Sequence, residues 1–278
     1  MHSLIRIKDL CFVVRHCRNI MATISPPPPD LELTHYLAAF RAALPAGTGD
    51  AVTADRLCAL GEAAHLARGA QLWPDANNDR LVWIADGAVK LVAPAVAGTP
   101  GGQVLAFHFA GDLVSVLRQS AQESWGDLRL AALTDSDLVI FPADQFLDVA
   151  QGDPAVLRSV LTRSLQALHR SRTRMMQMGH KSAGARIADF LVSMAERLAD
   201  CTAGACAFSL PMSRRDIGDS LGLTIETVSR QLTELREAGL VATEGRSKVC
   251  LSDVTALARL AGRQSRHPTE VLAKTHQI

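Results

Sequence analysis

The chain has 278 residues, of which 48% are hydrophobic but only 4% aromatic, enough for about two domains with aliphatic cores. Its formal net charge of +1 conceals an asymmetry, because residues 21–153 carry a net charge of −9 and residues 154–278 a net charge of +7. This distribution argues against an enzyme with a uniform surface and favours a polyanion-binding module in the second half of the chain.

No apolar stretch of the sequence reaches the length needed to cross a membrane, and no secretory signal is recognisable. We therefore expect a cytoplasmic protein without a membrane partner. The six cysteines are scattered and form no C-x-x-C pair, so neither a structural zinc site nor a redox dithiol is predicted.

Residues 1–30 are predicted to be a disordered extension that contains the polyproline run Pro26–Pro29, and Met21 is an alternative start of translation. Helical periodicity follows over residues 31–44 and 54–66.

Between residues 69 and 146 the pattern changes to short apolar runs separated by Gly, Asn, Asp and Pro. Short strands with this spacing are typical of an antiparallel barrel or sandwich. The clearest predicted strands are Leu81–Ala85, Val89–Val92, Val104–Phe109 and Leu138–Phe141.

A long helix is predicted from Asp153 to about Gly179, because no acidic residue, internal glycine or further proline follows Pro154 in this stretch. Apolar residues recur along it at nearly coiled-coil spacing, which predicts the seam of a parallel homodimer. An ordinary helix packed on its own domain is the alternative. The seam residues are Leu157, Leu161, Leu165, Leu168, Arg172 and Met175.

The next predicted elements are an amphipathic helix over residues 180–198, a loop over 199–209 and a helix-turn-helix. In the helix-turn-helix, Ser213 and Asp216 form a predicted capping box, and Gly222 suits the left-handed residue that ends a helix. Thr224 is the predicted N-cap of the recognition helix, which would present polar residues near its start to the major groove. After it, residues 239–251 predict a β-hairpin wing with a basic tip, and residues 253–260 a short helix.

These modules, in this order, resemble the CRP/FNR family of bacterial transcription regulators over about residues 31–261. The resemblance is strongest over Ser182–Leu191 and Leu221–Arg230. The E-x-x-S-R pattern after Ile225 is similar to the FNR/FixK-like branch, whereas the cyclic-AMP branch carries an arginine at that position. The implied fold is α+β, with an antiparallel β-roll (cyclic-nucleotide-binding-like) over residues 31–152, a dimerisation helix over 153–180, a winged helix-turn-helix over 181–262 and a tail over 263–278.

The resemblance also implies a half-site close to TTGAT, with an inverted copy about one helical turn away. Arg230 can bind guanine in a bidentate manner, Glu226 can accept from the cytosine amino group, and Ser229 can contact a base or phosphate. The candidate phosphate contacts are Ser213, Arg214, Arg215, Thr224, Thr227, Arg246 and Lys248.

No cofactor is predicted. Cyclic AMP is disfavoured because Asp112 replaces the family's glutamate and Arg129 is followed by Leu130 instead of a hydroxyl residue. An iron–sulfur cluster is disfavoured because Cys11, Cys17 and Cys58 do not reproduce the family's ligand set. Haem remains an alternative, with His65, His108, His169 and His180 as candidate ligands.

The residues thus predict a homodimeric regulator that binds double-stranded DNA and is not an enzyme. The resemblance further implies that it contacts RNA polymerase and activates transcription in response to oxygen, nitric oxide or redox state. A cyclic-nucleotide-dependent regulator of the same family is one alternative. A ligand-binding module that no longer binds DNA is another. The alternative from a different class is a β-roll enzyme with an assembly module, although no nucleophile elbow, P-loop, H-E-x-x-H or dinucleotide fingerprint occurs.

Overall fold

A computed structural model describes residues 29–45, 51–75, 77–94, 102–117, 128–245 and 247–263. Residues 1–28 of the predicted extension, with Cys11 and Cys17, lie outside the described residues, as do Arg246 and the tail after residue 263. Residues 29 and 30, which were also assigned to the extension, lie in a helix. Over the described residues, antiparallel sheets and helices form the α+β fold expected from the sequence.

Within the described ranges, two helices precede the strands, α1 (Pro29–Ala43) and α2 (Ala51–Ala59). Phe40 of α1 packs against Phe141 and Trp83, with ring centroids 4.8 Å and 5.6 Å away. The predicted helix over residues 54–66 is wrong in its second half, because Glu62–Leu66 is strand β1. The full length of β1 pairs with a strand more than seventy residues later, and those long-range backbone hydrogen bonds override the local helical spacing.

The strands form two four-stranded antiparallel sheets, ordered β1-β8-β3-β6 and β2-β7-β4-β5. Fully buried Val82, Ile84, Val89, Leu130 and Leu138 form part of the core of this β-roll. The predicted strands are confirmed, and the observed bounds are β2 (Gln71–Leu72), β3 (Arg80–Asp86), β4 (Ala88–Ala93), β5 (Gln103–Phe109), β6 (Leu113–Val116), β7 (Arg129–Ala132) and β8 (Ser136–Pro142).

Helix α3 (Ala143–Gln151) leads into the long helix α4 (Pro154–His180). The Asp153 carboxylate accepts from the backbone N–H groups of Ala155 and Val156, at 2.9 Å and 3.3 Å, and so caps α4. All six residues of the predicted seam are exposed in the single chain, including the leucines Leu161 at 57% and Leu165 at 56%. A row of exposed leucines leaves apolar surface available for a partner.

Helix α5 (Ala183–Ala199) starts three residues later than predicted, because Ser182 caps it by accepting from the Ala185 N–H. The predicted loop over residues 199–209 contains strand β9 (Cys206–Ser209), which pairs with β11 and makes the wing sheet three-stranded. The remaining elements are α6 (Arg214–Leu221), α7 (Ile225–Glu237), β10 (Val241–Glu244), β11 (Lys248–Leu251) and α8 (Val254–Leu260).

The β-roll packs directly on the C-terminal elements of the same chain. Phe107 of β5 lies edge-on to Phe190 of α5, with ring centroids 6.0 Å apart, and both side chains are buried in one continuous core. Arg197 of α5 donates to the Phe107 carbonyl at 2.9 Å and to the Asp112 carboxylate at 2.5 Å. The position of the helix-turn-helix is therefore coupled to the roll through side-chain packing as well as through α4.

Candidate nucleic-acid interface

The first helix of the helix-turn-helix, α6, has a complete capping box. The Ser213 hydroxyl accepts from the Asp216 N–H at 3.2 Å, and the Asp216 carboxylate accepts from the Ser213 N–H at 2.8 Å. Gly222 ends the helix in the left-handed conformation, with φ 63° and ψ 43°. These local hydrogen bonds make the start and end of α6 readable from the sequence.

Helix α7, the recognition helix, separates apolar and polar faces. Thr224 caps it by accepting from the Thr227 N–H at 3.2 Å. Val228 and Leu235 are buried against the rest of the domain, whereas Glu226 and Arg230 are exposed. The exposed polar residues lie in the first two turns, where a recognition helix contacts base edges.

Hydrogen bonds and charges join α6 to the polar face of α7. Arg214 donates to the Ser229 hydroxyl at 3.2 Å. The pKa of Glu226 lies below its usual range because its carboxylate accepts from its own backbone N–H and from the Thr224 hydroxyl, with a further contribution from the Arg215 charge. Glu226 is therefore ionised at neutral pH and can only accept hydrogen bonds.

The side chain of Arg230 lies near Glu234 of the same helix. The Arg230 Nε atom lies 3.8 Å from a Glu234 carboxylate oxygen one turn later in the helix. Both side chains are mostly exposed, so this ion pair is weak and leaves Arg230 able to reorient towards DNA.

The candidate phosphate contacts occupy different environments. Ser213, Arg214, Arg215 and Thr224 are exposed, and Thr227 is half-buried. On the wing, the Lys248 ammonium lies 2.6 Å from the Glu244 carboxylate, so a phosphate contact by Lys248 would require this exposed pair to open.

Two positioning contacts could not be read from the sequence. The Lys90 ammonium of β4 lies 2.5 Å from the Asp216 carboxylate, and Arg186 of α5 donates to the Leu221 carbonyl at 2.8 Å. Burial would raise the pKa of Asp216, but the hydrogen bonds from Lys90 and Ser213 and the Lys90 charge hold it below its usual range. The capping carboxylate of α6 is thus also an anchor to the roll.

The two residues that bear on cyclic-nucleotide binding, Asp112 and Arg129, make other contacts in the structure. Asp112, at the position of the family's glutamate, is paired with Arg197 and accepts from the Phe109 N–H at 3.0 Å. Arg129 lies over the Trp73 ring, 5.1 Å from its centroid, and its buried Nε has no hydrogen-bond partner among the described residues. Asp112 is therefore committed to a structural contact with α5.

The candidate haem ligands are dispersed. His65 and His108 lie 2.7 Å and 3.5 Å from the carboxylates of Asp137 and Asp112. His169 and His180 both belong to α4, and eleven residues of helix separate them by about 16 Å, too far to bind the same iron atom. Among the described residues, no group of three or more His, Cys, Asp or Glu is arranged to bind a metal.

A family model of the Crp-like helix-turn-helix domain matches residues 185–260. The nitrogen fixation regulation protein FixK of Rhizobium meliloti (strain 1021) is 33% identical over 165 residues, which are 59% of this chain and 70% of that protein. The FixK of Azorhizobium caulinodans is 31% identical over 73% of this chain and 81% of that protein. The chain belongs to the CRP/FNR family.

Within the CRP/FNR family the similarity points to the FixK-like branch, as predicted from the residues around Glu226 and Arg230. A probable transcriptional activator of Rhizobium leguminosarum bv. viciae is 35% identical over 158 residues, and the match spans 64% of that relative. The names of these relatives are those of a probable transcriptional activator and of two nitrogen fixation regulation proteins.

Solved structures of the CRP/FNR family share the fold. FixK2 from Bradyrhizobium japonicum superposes with a TM-score of 0.59 at 29% identity, over 72% of this chain and 96% of that one. A CooA mutant from Carboxydothermus hydrogenoformans superposes with a TM-score of 0.60 at 20% identity, which is a likeness of fold alone. The predicted β-roll, long helix and winged helix-turn-helix are confirmed. Within the described residues, every helix is too short or too polar to traverse a lipid bilayer.

Proposed function

We propose that this chain is a homodimeric, sequence-specific DNA-binding transcription regulator that recognises a TTGAT-type inverted repeat. The observation that carries the proposal is the capped recognition helix α7, whose first two turns present Glu226 and Arg230 to solvent, with Ser229 beside them. An arginine fork matches two acceptors of guanine, and an ionised glutamate accepts from the cytosine amino group.

Helix α4 supports the proposed dimer. Its exposed leucines would be buried by a second copy, and a two-fold axis along this helix would present two recognition helices to successive turns of the major groove. An inverted repeat with half-sites about 34–36 Å apart is the matching DNA target.

The protein would act in the bacterial cytoplasm as an activator that contacts RNA polymerase, and it would have no catalytic activity. The name of the Rhizobium leguminosarum relative, a probable transcriptional activator, supports activation. Its signal would be oxygen, nitric oxide or redox state, as the branch implies. Control through the abundance of the protein is the alternative that needs no bound ligand.

Competitive DNA binding by the purified full-length protein tests the proposal. We expect tighter binding to a TTGAT palindrome than to a scrambled duplex of the same length, with affinity that falls as salt rises. Arg230→Ala should weaken palindrome binding by about 1–3 kcal/mol and leave scrambled binding nearly unchanged, because the bidentate guanine contact is lost.

Two control variants separate base contacts from general charge. Arg236→Ala removes an exposed arginine from the other end of α7 and should leave discrimination intact. Lys248→Ala should weaken the binding of the palindrome and of the scrambled duplex to the same degree. Equal affinity of the unmodified protein for both duplexes, at every salt concentration and with oxygen, nitric oxide and redox state varied, would exclude the proposed readout.

A further inference from the structure

A cleft of about 800 Å³ lies where the roll, the long helix and the C-terminal domain meet. The residues that line it include none from the recognition helix, and Asp112, at the position of the family's glutamate, is joined to it through the ion pair with Arg197. The residues that define its character are Phe107 of β5, Arg170 and Arg174 of α4, Phe190 and Arg197 of α5, and Leu221 of α6.

Positive charge in the cleft exceeds the negative charge available to balance it. Arg174 donates to the Leu105 carbonyl, and its pKa is lowered by burial and by the charges of Arg197 and Arg170. The carboxylate of Asp112 pairs with Arg197. Among the described residues, no carboxylate forms an ion pair with Arg170 or Arg174.

The two acidic residues that line the cleft already pair with other cations. The Asp189 carboxylate lies 2.7 Å from Arg263 and 3.3 Å from Lys181. The Glu196 carboxylate lies 2.7 Å from Arg263. Three neighbouring guanidinium groups with one carboxylate between them are therefore a site that an added anion would stabilise.

One wall of the cleft is apolar. The buried rings of Phe107 and Phe190 meet edge to face, and buried Met194 and Leu221 continue the wall. An apolar wall that faces arginine side chains suits a small organic anion with an apolar body, because the body can leave water while the guanidinium groups bind the charged end.

The predicted dimer seam does not cover this cleft. Arg163, Arg170 and Arg174 each follow a seam residue by two positions, which places them about 200° around the helix from the seam. Arg163 donates to the Gly111 carbonyl at 3.1 Å and Arg174 to the Leu105 carbonyl, so this face of α4 contacts its own roll. A partner helix on the leucine face leaves the arginine face open.

We propose that this cleft binds a small organic anion, a carboxylate or phosphate group on an apolar body, through Arg170, Arg174 and Arg197. The bound anion joins the roll, α4 and α5, and so stabilises the present position of the helix-turn-helix. The effect of the anion on DNA binding rests on the proposed function, whereas the binding of the anion to the cleft does not.

Calorimetric titration of the full-length protein in a phosphate-free buffer tests the site. The probes are phenyl phosphate, benzoate, inorganic phosphate and the neutral benzamide. We expect one phenyl phosphate or benzoate per chain, and a loss of affinity of about tenfold or more in Arg170→Met, because a charge-assisted contact is removed. Whichever of the two organic anions binds more tightly identifies the charged group.

Arg170 is exposed, so its substitution leaves the fold intact, whereas Arg174→Met removes the half-buried hydrogen bond to the Leu105 carbonyl and serves only as a second variant. Arg158→Met is the matched control, since Arg158 is exposed on the same helix outside the cleft and should not affect binding. Equal binding of benzamide, unchanged affinity in Arg170→Met, or the absence of binding at millimolar concentration would overturn the proposal. Equal affinity for inorganic phosphate and phenyl phosphate would overturn the role of the apolar wall.

The two proposals fail in different ways. If the protein binds the palindrome specifically but binds no anion, the proposed function stands and the anion site is wrong. If it binds the anion but shows no preference for the palindrome, the anion site stands and the proposed function is wrong. If both hold, the anion should change the affinity for the palindrome in the unmodified protein and in Arg158→Met, but not in Arg170→Met.

Discussion

The role of each residue in α7 depends on whether it lies on the buried or on the exposed face of the helix. Val228 is fully buried and holds the helix to its domain, whereas Arg230 two positions later is exposed with only a weak ion pair to Glu234. Glu226 is kept ionised by hydrogen bonds at the helix N-terminus. An exposed arginine and an ionised glutamate one turn apart provide one donor and one acceptor for base readout.

The thiol of Cys206 should be the least reactive of those described. It is buried opposite Leu251 in the wing sheet, and burial, together with Cys201 and Cys250, raises its pKa to about 12. At pH 8 almost no molecule would carry the thiolate, which is the form that reacts. Alkylation of the native protein, followed by peptide mass spectrometry, should leave Cys206 unmodified while half-exposed Cys201 reacts, and unfolding should make the two equally reactive. Equal labelling in the native state would contradict this.

At the level of elements, the turn between α6 and α7 depends on a glycine. A Cβ atom on Gly218 would lie 2.6 Å from the Leu223 carbonyl oxygen, a backbone atom that cannot move without displacing the turn. We expect Gly218→Ala to lower the free energy of unfolding by about 1–3 kcal/mol, the usual cost of overpacking, and to reduce DNA binding. Denaturant unfolding and palindrome titration measure the two effects.

Gly179→Ala is the matched control for this prediction. Gly179 lies in α4, and nothing stands within 4 Å of a Cβ atom placed there. Alanine should be neutral or stabilising at this position, by up to about 1 kcal/mol, because it has the higher helix propensity. If both substitutions had the same effect, close packing at Gly218 could not be the cause.

Some strands could be predicted from the sequence and others could not. Strands β3, β4, β5 and β8 were found because their apolar runs and turn residues are local signals. Strands β1 and β9 were missed, since each is short and is held by pairing with β8 or β11, which lie far away in the chain. The spacing of apolar residues over about five positions carries no information about a pairing strand that lies far away in the chain.

At the scale of the whole molecule, the exposed leucines of α4 predict the oligomeric state. Replacing Leu161 and Leu168 together by Glu should convert a dimer into a monomer, because burial of each leucine side chain contributes about 1.5–3 kcal/mol. The single chain should keep its fold, since both side chains are exposed within it. Sedimentation velocity measures the change in oligomeric state. Gln166→Glu, at an exposed position outside the seam, is the control and should leave the dimer intact. If the unmodified protein were a monomer at micromolar concentration, the predicted dimer seam would be wrong.

The sequence by itself determined the order of the modules, the capped helix-turn-helix and the polar face of α7. The caps and the polar face depend on residues within one or two turns of one another, such as Ser213 with Asp216, whose mutual hydrogen bonds are local. The tertiary structure decided how the modules meet. Lys90 pairs with Asp216 across 126 positions, and Phe107, Arg174 and Arg197 meet at one cleft from three elements. No local spacing encodes such contacts, because they exist only once burial of a shared core has brought the roll, α4 and α5 together.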